Sequence, residues 1–294
     1  MTILQSVVLG LVQGVAEFLP ISSSGHLAVV QHLFGLDDIP LLFDVMLHLA
    51  TLLAVVIYFR KVIGRLFMIL FRAIGQKGEP MNSEPITDAK IATLAPNEQA
   101  GRYTIIMIIM TTIVTGVIGM VTSKLIKNIS LTYVCIGFLV TAGLLVASSV
   151  VDKIRCLHRA AMNGVSGDRH LTGIRWWQAL IIGFAQGVGT LPGISRSGST
   201  IAGALFSGVD RRTAGDYSFI VSIPAILGAF ILEVKDLDAV AGSIGILPVA
   251  AGCLAAFVSG YLALSWLMGI IRRGHLEWFA AWLIPLGVLG LIFF

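Results

Sequence analysis

Six stretches of this sequence are long and apolar enough to cross a bilayer, and they constrain the fold more than any other feature. They cover Leu41–Phe59, Tyr103–Thr122, Ile129–Val151, Tyr217–Glu233, Ile244–Ile271 and Trp278–Phe294. A helix needs roughly 20 residues to span hydrocarbon. In lipid every backbone N–H and C=O must be bonded internally, so such stretches become helices. Composition closes off the alternatives. Only 12% of the 294 residues are charged and 56% are hydrophobic, whereas a soluble domain carries about 25% charged residues. So few charges cannot coat a water-exposed surface. A soluble enzyme, a nucleic-acid-binding domain and a disordered chain are excluded. Three cysteines without a CxxC pair point to neither a disulfide nor a zinc site. The first Lys or Arg is Arg60, so the first apolar run lacks the basic flank of a signal peptide.

Two further regions are apolar but broken. Ile3–Leu36 is interrupted by Gln13, Glu17, Pro20, Ser22-Ser23-Ser24 and His26, and Trp176–Val209 by Gln186, Pro192 and Ser195-Arg196-Ser197. Each is read as a re-entrant helix–loop–helix hairpin; a kinked full span is the alternative, because neighbours can satisfy a broken backbone. Shifting the first region by 173 residues gives eight identities: Gly10, Gln13, Gly14, Val15, Ile21, Ser22, Ser24 and Gly25 fall on Gly183, Gln186, Gly187, Val188, Ile194, Ser195, Ser197 and Gly198. Three spans separate the copies, so the second is inverted. The expected fold is an all-α polytopic membrane protein of six transmembrane helices plus two re-entrant hairpins. It divides into a first repeat at 1–151, with a cytoplasmic loop at 60–102, and an inverted repeat at 152–294. Paired interrupted segments in such halves mark a midplane binding site.

Charge orients the chain. In the six-span arrangement 16 of the 20 Lys and Arg fall on one side and 3 on the other, with Arg196 left over. The basic side is cytoplasmic, so both termini face outward from the cytoplasmic (inner) membrane. The first hairpin opens outward, the second opens inward, and their tips meet. The stretch Arg72–Gly101, with three prolines and mixed charge, reads as a solvated loop.

The hairpins hold the costly residues. Gln13 and Glu17 share one helix face. A carboxylate in an apolar helix costs roughly 2.5–3.5 kcal/mol, so Glu17 is expected in a polar cavity with a partner. Pro20 ends its helix, and a second helix, about Gly25–Leu36, starts from the serine run. Pro192 to Thr200 places Arg196 between Ser195 and Ser197 at a helix N-terminus. Free N–H groups, hydroxyls and a guanidinium there suit an oxyanion, phosphate above all, since the arginine fork pairs two oxygens at once. Glu17 and a bound anion are its expected partners. Ser and Gly runs also serve simply as packing surfaces, and His48 fits either core hydrogen bonding or a supporting role beside the site. The convergence of Glu, Ser, His and Arg from two related breaks favours a reaction or transport site.

The same residues carry a family resemblance. Gln13-Gly14-Val15-Ala16-Glu17 fits [E/Q]xxxE, Pro192 to Thr200 fits PGxSRSxxT, and Phe18 to His26 resembles FLPxSSxGH. These are signatures of the undecaprenyl-diphosphatase family (BacA/UppP type), and the likeness continues through Phe43-Asp44, Leu53-Ala54-Val55 and Tyr217-Ser218-Phe219 to Pro224. Many members carry Glu where Gln13 stands, so this chain offers one carboxylate fewer to a metal. The Tyr-Arg pair that some carry in the last span is Trp282-Leu283 here.

The resemblance implies hydrolysis of undecaprenyl diphosphate, a membrane-embedded lipid diphosphate, to undecaprenyl phosphate and orthophosphate, recycling the carrier of cell-wall synthesis. On that reading Arg196 and the N–H groups after Ser197, including that of Gly198, hold the diphosphate, helped by Ser195, Ser197 and Thr200. Ser23 is the nucleophile with His26 as its base; attack by His26 itself is the alternative. Ser22 and Ser24 add hydroxyls that substitute in part for Ser23. Glu17, with Gln13, orients His26 or holds a divalent cation, Mg²⁺ or Ca²⁺. No organic cofactor is expected, and a homodimer and a monomer are both open. A second class of function stays open as well: a transporter or flippase of a polyprenyl phosphate, which the inverted architecture also suits.

Overall fold

The computed structural model describes residues 1–36, 39, 41–75, 89–125, 130–162, 173–233 and 245–293, and the regular elements among them are all helical. They are α1 (Ile3–Phe18), α2 (Ser23–Leu33), α3 (Leu41–Tyr58), α4 (Arg60–Gly75), α5 (Ala89–Leu94), α6 (Glu98–Leu125), α7 (Leu131–Met162), α8 (Trp176–Val188), α9 (Arg196–Phe206), α10 (Arg211–Glu233), α11 (Ile246–Arg273) and α12 (Ala280–Phe293), with a 3₁₀ turn at Leu276–Phe279 before the last. Five stretches are long and apolar enough to cross a membrane, in α6, α7, α10, α11 and the turn with α12; α3 joined to α4 makes a sixth, bent by 80°. The chain is a multi-pass helical membrane protein.

Both broken regions break where their sequences demand. α1 is fastened at its start by a capping box, Thr2 Oγ1 accepting from the Gln5 N–H at 3.2 Å while Gln5 Oε1 accepts from the Thr2 N–H at 2.8 Å. It stops before Pro20, which cannot continue an α-helical ladder. Ser22 follows at φ +69°, alone among the described non-glycine residues in having a positive φ. α2 then starts at Ser23, two residues earlier than expected, and Ser22 makes no side-chain cap. At the second break Ser195 does cap α9, its Oγ accepting from the Gly198 N–H at 3.1 Å.

The shared glycines mark close approaches. α1 lies along α11, where a Cβ on Gly14 would sit 2.5 Å from the Ala256 oxygen. α8 lies along α6, where a Cβ on Gly183 would sit 2.8 Å from the Thr111 oxygen and one on Gly187 2.5 Å from Ile118 Cβ. Small residues let membrane helices pack at this range. Thr115 Oγ1 then donates to the Gly183 oxygen at 3.1 Å.

Three basic segments are tied together at one end. Arg211 pairs with Asp152 at 2.5 Å and Lys153 with Glu277 at 2.6 Å. Arg211 also donates to the Arg273 carbonyl at 3.4 Å. Arg155 donates to the carbonyls of Leu205 and Phe206 at 2.5 and 2.7 Å, capping the negative end of α9.

The expected loop at 60–102 differs most. Its first third is the helix α4, whose Val62, Leu66 and Ile69 are buried in the main core with Leu94 and Ala95. Its basic residues do not force it into solvent, because Arg65 is buried and donates to the Pro96 carbonyl at 3.3 Å. The middle of that stretch, 76–88, lies outside the described residues, as do 163–172 and 234–244 among the connections between spans.

Candidate functional site

The site is built around one carboxylate. Glu17 stands in the last turn of α1 and is 9% exposed. Its Oε1 pairs with Arg196 Nη2 from the other broken region. Its Oε2 accepts from Ser23 Oγ at 2.6 Å and from Gln13 Nε2 at 3.0 Å. His48 Nε2 stands 3.4 Å from the same oxygen. The His48 Nδ1–H donates to the Asp44 carbonyl at 2.7 Å, which leaves Nε2 facing Glu17. Gln13, Glu17, Ser23 and Arg196 are thus brought together by α1, the start of α2 and the start of α9. Desolvation makes each of these polar groups costly alone and strengthens their interactions when paired.

The two tips touch. A Cβ on Gly198 would lie 3.1 Å from Pro20 Cβ. A cavity opens at this junction, lined by Glu17, Arg196, Ser197, Thr200, Gln186, Thr51, Ser218 and Ser222, with Phe18, Val55, Phe219 and Ile226 as its apolar wall. Gln186 donates from Nε2 to Thr115 Oγ1 at 3.0 Å, while its buried Oε1 and the Ser218 hydroxyl have no protein partner. Polar capacity therefore remains at the cavity for a ligand or water.

The other expected residues are spread around this centre. Ser195 is buried, bonding Gly198 and, through its own N–H, Thr141 Oγ1 at 3.0 Å. Its hydroxyl is 3.3 Å from that of Ser197. Thr200 lines the cavity, yet its hydroxyl donates back to the Arg196 carbonyl at 2.6 Å. Ser22 is buried and Ser24 exposed, their hydroxyls 3.5 Å apart and bonded to neither Glu17 nor Arg196.

The pairing expected between Ser23 and His26 is replaced. Ser23 bonds Glu17. His26 is turned the other way, its Nε2 accepting from the Trp282 indole N–H at 3.0 Å. The proton must then sit on Nδ1, which donates to the Ser22 carbonyl at 2.9 Å. The imidazole lies nearly parallel to Trp282, at 15°, and 5.1 Å from the Phe138 ring. Both ring nitrogens are engaged, so the base within reach of Ser23 is a carboxylate.

The donors do not suit a divalent cation as arranged. Glu17 already accepts from a guanidinium, an amide and a hydroxyl. Among the described residues no group of three His, Cys, Asp or Glu side chains converges, whereas Mg²⁺ and Ca²⁺ want several oxygen ligands. No step below passes through a metal.

Ser218, Ser222 and Thr51 were not expected here. Ser218 and Ser222 stand four apart on α10, hence on one face, which is the one signal that pointed to them.

Comparison with known proteins comes to the same region of sequence space. The family model described as bacitracin resistance protein BacA matches residues 6–289. A Treponema denticola protein named undecaprenyl-diphosphatase is 43% identical over 288 residues, covering 98% of this chain and 96% of its own. Proteins of the same name from Desulfatibacillum aliphaticivorans and Alkaliphilus metalliredigens are 39% and 37% identical, covering 97% and 100% of this chain and 97% and 99% of theirs.

Proposed function

This chain belongs to the BacA family, and we propose on that premise that it is a membrane phosphatase converting undecaprenyl diphosphate to undecaprenyl phosphate and orthophosphate. The observation that carries the chemistry is the convergence of Ser23 and Arg196 on Glu17 where two helix breaks meet. Phosphoryl transfer needs positioning and charge neutralisation above all, and a buried guanidinium beside a hydroxyl–carboxylate pair offers both.

In this reading the terminal phosphoryl group docks beside Arg196, Ser197 and Thr200, where the cavity, at about 10 Å³ large enough for a single water, widens to admit it. Arg196 holds its oxygens with the uncapped N–H groups at the start of α9; the Gly198 N–H, expected among them, is taken by Ser195 Oγ. Ser23 Oγ attacks phosphorus and passes its proton to Glu17 Oε2, 2.6 Å away. The bond to the bridging oxygen breaks, and undecaprenyl phosphate leaves. The departing undecaprenyl phosphate carries off the proton that Glu17 took; water then attacks the phosphoserine and gives a proton to Glu17, which passes it to Ser23 Oγ as the Oγ–P bond breaks, and orthophosphate departs with Ser23 restored. His26 holds the shape of the tip through Ser22 and Trp282 instead of taking the serine proton. Gln13, which donates to Glu17, keeps the carboxylate turned toward Ser23.

The finer architecture belongs to the same proposal: two halves, 1–151 and 152–294, each of one re-entrant hairpin and three spans, related by inversion. Its support is reciprocal packing. The first helix of each broken region lies, through glycines 173 positions apart, against the second long span after the hairpin of the other half. The clustered basic segments at one end support a cytoplasmic placement of that end, with both termini outside.

Orthophosphate release from undecaprenyl diphosphate by the purified protein in detergent tests the function. A hydrolase releases phosphate without any gradient. A carrier that only moves polyprenyl phosphate releases none, and that result would sink the assignment.

A further inference from the structure

Where α3 turns through 80° into α4, cationic side chains gather around a second cavity. Arg60, Lys61 and Lys90 line it with Tyr58 and Tyr261, and its volume is about 170 Å³. Among the described residues none of its lining lines the cavity at Glu17 and Arg196, and none of that lining is acidic. Lys90 is held over the Tyr58 ring, 3.3 Å from its centroid, and donates to the Tyr58 carbonyl at 3.1 Å. The Tyr58 and Tyr261 rings meet edge-on at 6.2 Å. Lys90 is thus fixed by an aromatic contact beside Arg60 and Lys61, and although the buried Asp216 carboxylate acts on Lys90, the lining of the hollow is cationic, an arrangement that raises the local concentration of anions.

The outward face of α4 supplies the second observation. Phe67, Met68, Phe71 and Ile74 are each at least half exposed, while Val62, Leu66 and Ile69 face the core. A contiguous exposed apolar face of this kind marks an interaction surface. On a helix set across the end of a span, rimmed by Arg60, Lys61 and Arg72, it has the layout of an interfacial helix, apolar side in the acyl region and cations at the headgroups.

We propose that this elbow binds the phosphate head of an anionic lipid of the cytoplasmic leaflet, the lipid chains lying on Phe67 and Phe71. The leaflet follows from the proposed orientation; the site itself does not depend on the hydrolytic reading. Juxtamembrane Lys and Arg are the usual readers of such headgroups. Free inorganic phosphate shares the head chemistry but has no use for the apolar face.

The test is native mass spectrometry of the full chain extracted from nanodiscs of mixed phosphatidylglycerol and phosphatidylcholine. Wild type should retain phosphatidylglycerol selectively. The Arg60→Gln/Lys61→Gln/Lys90→Gln variant should lose that retention by about fivefold or more, the scale expected for several surface charges, while releasing orthophosphate as wild type does. Phe67→Gln/Phe71→Gln should weaken retention as well. Equal retention by wild type and the triple variant would overturn the proposal. So would retention that added inorganic phosphate abolishes and the Phe67/Phe71 change leaves intact, which would make the elbow a phosphate site only. Lys61→Glu alone, at an exposed position, gives the same reading where the triple variant does not insert.

Discussion

Ser23 and Arg196 hold the two oxygens of one carboxylate, Ser23 on Glu17 Oε2 and Arg196 on Oε1. In the internal repeat these two residues fall on the same position, 173 apart. Around a common framework of Ile-Ser and Ser-Gly pairs, one copy supplies a hydroxyl and the other a cation. The two similar breaks thus supply complementary groups: the first copy carries the carboxylate Glu17, where the second has Thr190, and the second carries Arg196, where the first has Ser23.

Ser23→Ala removes one oxygen and leaves packing nearly intact. Turnover should fall by several orders of magnitude, with substrate binding through Arg196 preserved. Glu17→Gln should be similarly poor, and the double variant little worse than either single, because groups acting as one unit are not additive. Single-turnover kinetics on all three variants check this. A Ser23→Ala enzyme keeping more than about a tenth of wild-type turnover, at about 1.4 kcal/mol per decade, would make Ser23 a binding group only.

Arg196→Lys separates charge from shape. Lysine keeps the positive charge but cannot grip Glu17 and a phosphoryl group with one planar fork. Turnover should drop at least about tenfold while the protein still inserts and purifies normally, on the footing that bidentate sites do not tolerate this exchange. Near-wild-type turnover would reduce Arg196 to a structural partner of Glu17.

Much of this was legible in the sequence because misplaced charge is conspicuous. Glu17 and Arg196 stood out as the costly residues of two apolar regions, and each proved to be the other's partner. Pro20 and the serine runs located the breaks. The amphipathic helix α4 was hidden for the opposite reason: its basic residues read as marks of solvent, although Arg65 is buried against the Pro96 carbonyl. Ser218 and Ser222 were hidden too, since a serine in a span commonly bonds its own helix, as Ser222 does to the Phe219 carbonyl at 2.8 Å. Nothing local links His26 to Trp282, 256 positions away. With that bond unseen, His26 was the natural base for Ser23.

Trp282→Phe tests the posture of His26. Phenylalanine keeps an aromatic ring beside the imidazole while removing the N–H that fills Nε2, along with one ring of the indole. If this bond positions the tip through Ser22, kcat should fall severalfold with KM nearly unchanged, the pattern of a group that shapes the reacting geometry and not the binding. Trp282→Ala should be worse. A Phe variant equal to wild type in kcat would show that the indole serves packing alone.

The reciprocal packing of the two breaks is testable by adding single methyl groups. In an exposed helix interior, Gly→Ala stabilises by up to about 1 kcal/mol. At Gly14 the new Cβ would meet the Ala256 oxygen at 2.5 Å, and at Gly187 it would meet Ile118 Cβ at 2.5 Å. Neither neighbour can swing aside, the first being backbone and the second a branched carbon next to it. Overpacking of this kind costs about 1–3 kcal/mol, enough to outweigh the propensity gain. Gly143→Ala is the control, because nothing lies within 4 Å of the Cβ it would add. Thermal unfolding in detergent should therefore show lowered midpoints for Gly14→Ala and Gly187→Ala, of comparable size, and an unchanged or raised midpoint for Gly143→Ala. A loss at only one of the first two positions would mean that α1 on α11 and α8 on α6 are not equivalent contacts, and the inverted relation of the halves would lose its packing argument.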